Sequence, residues 1–241
     1  MFNQEEVYVT AGAVWELGPD EVIKMGGNNS IDISGTLMTN TTTDHPVVFT
    51  EFNDNEYGHP IATGGITPWE GIEVKTGGTA VLNHVIIRHA GYDYTSTSPD
   101  ALVRVNEGGS LTLTNSVLQH SDQYGVYVYN VNDQAILGNT IEDCGLYGIY
   151  VYDTINDGAP INVEIRDNAI NNTHTPIRLH SIVDGYTGVE RITGNTGTGS
   201  TNNYIYLENT LVGNVRLGTS NGLEWVFNQE EVYVTAGAVW E

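Results

Sequence analysis

The sequence predicts an all-β solenoid, one rod of about nine to ten stacked coils. Three observations carry that prediction. Short runs of alternating apolar and polar residues recur along the chain, bounded by Gly, Asn, Asp or Pro, which is the pattern of strands and turns. The runs fall into degenerate repeats whose marker asparagines, Asn115, Asn139, Asn168 and Asn195, lie 24 to 29 residues apart. Finally, residues 2–16, FNQEEVYVTAGAVWE, return unchanged as residues 227–241, an offset of 225 residues.

Each repeat has the same internal order. LTLTNSVLQHSDQYGVYVYN (111–130) gives an alternating strand, an Asn, a second short strand, a turn and a third alternating strand. AILGNTIEDCGLYGIYVYD (135–153) and VEIRDNAINNTHTPIRLHS (163–181) follow it closely, and VERITGNTGTGSTNNYIYLEN (189–209) more loosely. Asn83 in VLNHVII starts the series. Strands this short cannot bury a face alone, whereas stacked repeats bury a continuous core. At about 4.8 Å per rung, nine or ten rungs make a rod of about 45 Å. The asparagines are expected at a bend, where stacked amides bond rung to rung and satisfy buried turn groups.

Composition fits the same class. The 28 glycines and the many Asn and Thr residues mark a turn-rich β protein. With eight Lys and Arg against 30 Asp and Glu, the net charge is −22. That excludes a nucleic-acid partner, which demands a basic surface, and disfavours anionic membranes. No apolar run is long enough to cross a bilayer. The single cysteine, Cys144, rules out an intrachain disulfide scaffold.

Two stretches carry a family resemblance. Residues 7–51, VYVTAGAVWELGPDEVIKMGGNNSIDISGTLMTNTTTDHPVVFTE, resemble the first coils of secreted bacterial proteins in which xVxxGAxLxLxPGxxIK leads to xGxLxAxGTxxxPVxFT. Residues 69–91, WEGIEVKTGGTAVLNHVIIRHAG, are similar to the WGGIxxxxGxxxxLxxVxIRxxG coils that follow. Over nearly its whole length the chain resembles the right-handed parallel β-helix (pectin-lyase-like) superfamily. The resemblance implies a single right-handed parallel β-helix. It is silent on function, because the fold hosts lyases, hydrolases, adhesins and passive spacers.

Alternation then sorts the side chains. Ile72 with Val74, Val126 with Val128, Ile149 with Val151, Ile177 with Leu179, Ile205 with Leu207 and Val215 with Leu217 are expected inside. Outside, one column should run Glu73, Leu102, Tyr127, Tyr150, Arg178, Tyr206, Arg216, and its neighbour Lys75, Arg104, Tyr129, Tyr152, His180, Glu208. Stacked tyrosines flanked by bases suit a sugar polymer, pyranose faces on rings and Arg or Lys on hydroxyls or uronates. The same strip also serves as a stabilising ladder or a protein contact.

Catalysis and metal binding have weak signals. The resembling pectate lyases use clustered carboxylates for Ca²⁺ and an Arg or Lys base. Here the third-strand face offers only Glu73 and Glu208, far apart. Asp143, Asp153, Asp157 and Asp167 are the alternative group, but they sit in turns where Asp is common anyway. No acid/base pair stands out. The oxygen-rich loops NDNEYG (53–58) and DTINDG (153–158) offer Asp54, Glu56, Asp153 and Asp157 to Ca²⁺, yet neither matches an EF-hand. No cofactor is otherwise expected.

The expected role is structural. Residues 1–226 read as one unit of an extracellular or cell-surface tandem array, and residues 227–241 as the start of the next unit or an intermolecular arm. Met1 stands where Val226 stands in the second copy and reads as an added initiator. Such a unit is expected to join others head to tail through Phe2, Val7, Val9 and Trp15 at one end and Phe227, Val232, Val234 and Trp240 at the other. A carbohydrate-binding or polysaccharide-cleaving β-helix is the alternative.

Overall fold

The computed structural model describes residues 6–60, 64–92, 99–131, 133–152, 163–180, 182–185, 190–208, 210–214, 216–227 and 233–234. Strands in these residues pair in parallel and form three main sheets around one core. Sheet 1 has nine strands, from Val7–Val9 to Glu224–Phe227. Sheets 2 and 3 have seven each, from Val14–Leu17 to Ile192–Thr193 and from Val22–Met25 to Thr196–Thr198. The chain visits them in turn. After Tyr124–Tyr129 in sheet 1 come Gln134–Leu137 and Thr140–Cys144, and then Tyr147–Tyr152 lies beside Tyr124–Tyr129. Parallel neighbours need such a crossover, and here the other two sheets supply it.

Alternation fixes the interior as expected. Ile72, Val74, Val126, Val128, Ile149, Val151, Ile177, Leu179, Ile205 and Leu207 are all buried in one cluster. Each contributes about 1.5–3 kcal/mol by leaving water. Leu217 is only partly buried against that core, and Val215 lies outside the described residues.

The corners explain the polar composition. Between sheets 2 and 3 a column of left-handed residues runs His84, Asn115, Gly138, Asp167, Gly194, with φ of 52°, 50°, 66°, 57° and 69°. Between sheets 3 and 1 a second runs His89, His120, Asp143, Asn172, Gly199, with φ of 55°, 61°, 54°, 52° and 70°. Only Gly, and less readily Asn, Asp or His, tolerates that conformation.

The buried amide ladder lies one residue past the first of these columns. The Oδ1 of Asn195 accepts from the Asn168 backbone N–H (3.1 Å) and Nδ2 (3.0 Å). Asn168 Oδ1 accepts in the same way from Asn139, at 2.9 and 3.0 Å. Asn139 Oδ1 accepts from the Ser116 N–H (2.9 Å), and Ser116 Oγ from the Val85 N–H (3.1 Å). The three asparagines are at most 1 % exposed. Asn83 and Asn115, expected in this ladder, are not in it. Asn115 holds the left-handed corner, and its Nδ2 donates to Asn83 Oδ1 (3.0 Å) at the surface. Two adjacent positions at one corner both favour Asn, for opposite reasons: one for its backbone, one for its buried amide.

A short fourth sheet joins Ile182–Gly185, Thr210–Asn214 and Tyr233–Val234. It separates the two copies of the duplicated segment. Val7–Val9 opens sheet 1, paired with Ile31–Ile33, while Tyr233 and Val234, the equivalents of Tyr8 and Val9, pair with Thr210 and Leu211. The cause is spacing. Glu224–Phe227 reaches the edge of Tyr204–Leu207 first, with Trp225 only 20 residues after Ile205, and the copy of the first strand falls beyond it.

Candidate functional site

The outer face of sheet 1 is the most chemically distinctive surface. Its central column runs in register through Tyr8, Asp32, Glu73, Arg104, Tyr127, Tyr150, Arg178, Tyr206 and Val226. This corrects three placements. Arg104, expected one column over, pairs with Glu73 and Tyr127. Leu102, expected in the outer column, is fully buried in the core. Arg216 is in no strand, and its Nε lies 3.2 Å from Glu190. Beside the central column, Tyr129 pairs with Tyr152, and the Tyr152 ring sits 4.5 Å from that of His180.

The tyrosine block holds six rings, two more than the alternation suggested. Tyr124 and Tyr147, aligned in register, complete a three-by-two array with Tyr127, Tyr129, Tyr150 and Tyr152. The readable signal was the repeated Y-G-[VI]-Y-V-Y, whose first Tyr precedes a glycine. That glycine sits too close to the neighbouring strand to carry a side chain. A Cβ on Gly125 would lie 2.5 Å from the Gly148 carbonyl oxygen. Tyr124 stacks on Tyr147 (5.6 Å, 10°) and Tyr129 on Tyr152 (6.0 Å, 21°), while the central pair Tyr127 and Tyr150 meets edge-on (5.4 Å, 65°). The outer rings cover the central ones, leaving Tyr127 5 % and Tyr150 8 % exposed. Burial pushes both central phenols well above the usual tyrosine range.

The bases on this face are already engaged. Arg178 donates from Nε (3.1 Å) and Nη2 (2.7 Å) to Glu208, and from Nη1 to the Tyr147 phenol oxygen (2.7 Å). Its guanidinium also lies 4.8 Å from the Tyr150 ring centre and 5.0 Å from that of Tyr147. Burial opposes its charge, but Glu208 and the tyrosines outweigh it, and the pKa rises. Lys75 Nζ lies 2.5 Å from Glu73 and 3.2 Å from Asp32. Arg104 donates to Asn106 (2.9 Å) and lies 3.8 Å from Glu73. Three bases thus face three carboxylates, and this patch is balanced on a chain of net charge −22.

The two carboxylates expected on the third-strand face do not converge. Glu73 and Glu208 stand five strand steps apart, about 24 Å, beyond the spacing of a glycosidase pair. Asp143 sits at one corner with His120 at 3.5 Å, and Asp167 at the other. Asp153 and Asp157 lie outside the described residues.

In the Asp54 and Glu56 loop both carboxylates lie against Arg88. Asp54 is 4 % exposed, accepts from Thr50 Oγ1 (2.6 Å) and lies 3.4 Å from Arg88 Nε. Glu56 accepts from Arg88 Nη1 (2.5 Å), and Lys24 Nζ donates to the Asp54 carbonyl (2.6 Å). Burial pushes the Asp54 pKa up, but Thr50, the Glu56 N–H and Arg88 outweigh it, and the net shift is downward. No group of three His, Cys, Asp or Glu suited to a metal occurs among the described residues.

The rod ends form the other candidate surface. Among the described residues, the partly buried apolar side chains packed on the core are Val7, Trp15, Ile23, Leu217, Trp225 and Phe227. The first three come from the opening strands of sheets 1, 2 and 3; the last three come from the final coil. Tyr8 and Val14, also in opening strands, are 61 % and 64 % exposed. Of the other residues expected at the ends, Val9 is buried and Val234 lies in the fourth sheet. Phe2, Val232 and Trp240 lie outside the described residues.

Comparison with known proteins agrees with this architecture. No curated protein and no solved structure matches the chain. A family model described as "Right handed beta helix region" matches residues 51–215, the span that holds most of the stacked coils and the whole tyrosine block. The chain is therefore a member of the right-handed β-helix family.

Proposed function

We propose that this chain is a structural module of an extracellular or cell-surface tandem array, which joins its neighbours head to tail into a stiff fibre, layer or stalk. One observation supports the reading: among the described residues, the apolar side chains that pack on the core but are only partly buried gather at the two tips, Val7, Trp15 and Ile23 at one end and Leu217, Trp225 and Phe227 at the other. Open sheet edges are surfaces that proteins normally cap or pair. Different surfaces at the two tips make the contact heterologous, so it propagates instead of closing on itself. The duplicated segment supports the same reading, since it gives the chain the opening sequence of a following unit.

Sedimentation velocity across a salt series tests it. At a charge of −22, molecules repel at low ionic strength, and salt screens the repulsion within about 10 Å at 0.1 M. The species should grow with salt and concentration. A chain that stays monomeric throughout would overturn the proposal.

A second reading is favoured by the tyrosine block alone. The half-exposed edges of Tyr124, Tyr129, Tyr147 and Tyr152 suit the apolar face of a sugar. The internal pairing of Lys75, Arg104 and Arg178 favours neutral over uronic polymers. A polysaccharide pull-down, lost in Tyr129→Ala with Tyr152→Ala, supports this reading; no retention on any polymer removes it.

A further inference from the structure

The duplicated segment indicates how one unit passes into the next, an inference that rests on the tandem, head-to-tail reading above. We infer that its valine-tyrosine-valine strand, residues 232–234, is a joint shared by two units. On one edge it pairs with Thr210–Asn214 of its own unit, and on the other with Ser30–Ile33 of the unit that follows. The fourth sheet of one unit then runs on as sheet 1 of the next.

Both halves of this joint are present in one molecule, because the same sequence occurs twice. As residues 7–9 it opens sheet 1, with Val7 on Ile31, Tyr8 on Asp32 and Val9 on Ile33. As residues 233–234 it ends the fourth sheet, with Tyr233 on Thr210 and Val234 on Leu211. In both sheets the strands follow chain order along the rod. The first copy therefore uses its edge towards later strands, and the second copy its edge towards earlier ones. These are opposite edges, and one strand can pair on both at once, as Ala101–Val105 does between Gly71–Val74 and Tyr124–Tyr129.

The registers agree across the joint. Setting Tyr8 on Tyr233 puts Thr210, the tyrosine and Asp32 in one column. It puts Ile182, Leu211, the second valine, Ile33 and Val74 in the next. The first column is polar and the second apolar, so alternation passes through without a break. At Val9, Ile33 and Val74 the apolar column is buried. Spacing excludes the simpler junction, with the strand beneath Glu224–Phe227 in sheet 1. Val232 comes five residues after Phe227, whereas the shortest coil, from Ile205 to its partner Trp225, takes 20. A rotation follows. Ile182–Gly185 lies in the chain between Thr175–Leu179 of sheet 1 and Ile192–Thr193 of sheet 2. A unit that starts on the fourth sheet therefore has its tyrosine face turned about the rod relative to the unit before.

Disulfide trapping in a two-unit chain, residues 1–226 followed by 2–241, tests the joint. Facing residues on neighbouring parallel strands are about 4.8 Å apart, within reach of a disulfide. The native Cys144 does not compete, being buried with its thiol pushed by desolvation up to about 12. One variant carries Thr210→Cys of the first unit with Tyr233→Cys. Another carries Tyr233→Cys with Asp32→Cys of the second unit. Both should close, with yields within twofold of each other. Tyr233→Cys with Ser30→Cys of the second unit, two residues out of register, should close at least tenfold less. Closure of only one of the two in-register pairs, or of neither, overturns the shared joint, as does equal closure of the control. Leu211→Cys with Val234→Cys, and Val234→Cys with Ile33→Cys of the second unit, repeat the test in the neighbouring column, and circular dichroism confirms that each variant folds. Sedimentation of the parent chain separates the two claims. Growth with salt while the pairs fail overturns the joint alone; a strict monomer with both pairs closed overturns joining between separate chains alone.

Discussion

Replacing Asn168 by Ala tests the amide ladder most sharply. The Asn168 side chain takes part in four hydrogen bonds. It accepts from the Asn139 N–H and Nδ2, and donates to Asn195 Oδ1 and the Ile136 carbonyl, all at 2.9–3.0 Å. At about 1 kcal/mol net for each bond the loss is about 4 kcal/mol. The Asn139 N–H loses its acceptor in the interior, whereas Asn139 Nδ2 keeps its bond to the Leu113 carbonyl. Asn115→Gly is the matched control. It removes one exposed hydrogen bond and keeps a residue suited to φ of 50°, as Gly138 does one coil on, and should cost less than about 0.5 kcal/mol. Urea unfolding gives both differences, and amide exchange at Asn139 reports the local effect. An Asn168→Ala cost below about 1 kcal/mol, or an equal cost for Asn115→Gly, would refute the assignment of roles at this corner.

Other consequences follow from the same geometry. Arg178→Met leaves Glu208, 7 % exposed, without its bidentate partner and should destabilise by about 3 kcal/mol; adding Glu208→Gln should recover most of that in the double variant. Tyr150→Ala opens a hole beneath the outer rings and should cost about 3 kcal/mol, whereas Tyr150→Phe should stay within about 1 kcal/mol. Alkaline titration followed by absorbance should leave Tyr127 and Tyr150 neutral past the range where exposed tyrosines ionise. Because their folded values are raised by burial, their contribution is complete below the ordinary tyrosine pKa and disappears as pH climbs through the folded values. His89 behaves in the opposite sense. Burial, then Arg88 and His120, lower its pKa to about 4 from 6.5, so the stability it confers is full above pH 6.5 and is lost as pH falls towards 4. Nuclear magnetic resonance titration of His89, beside denaturation of His89→Gln over that range, checks the sign.

The strands and the inward residues were legible because alternation has a period of two and each repeat restates it. Ile149 and Val151 could be placed inside from GIYVYD alone, and the core holds them there. Corner chemistry was legible only as composition. Asn115 and Asn139 look equivalent in a repeat alignment, yet Val117 pairs with Thr140, which sets Ser116 beside Asn139. The shift is one residue, and sequence alone does not separate an Asn wanted for its left-handed backbone from one wanted for its amide. The outer columns failed at Leu102 for a related reason: the strand Ala101–Val105 turns its Leu into the core before alternation takes hold at Val103. Ion pairs between columns, such as Arg178 with Glu208, span 30 residues, and no local pattern announces them. The basic side chains therefore looked available for an acidic ligand when the fold had already matched them.

Electron microscopy of the chain at raised salt tests the central claim most directly. Head-to-tail joining predicts filaments one rod wide, with an axial repeat of about 43 Å from nine rungs of sheet 1 at about 4.8 Å each. Isolated particles at every concentration, or filaments in which rods lie side by side, would contradict it.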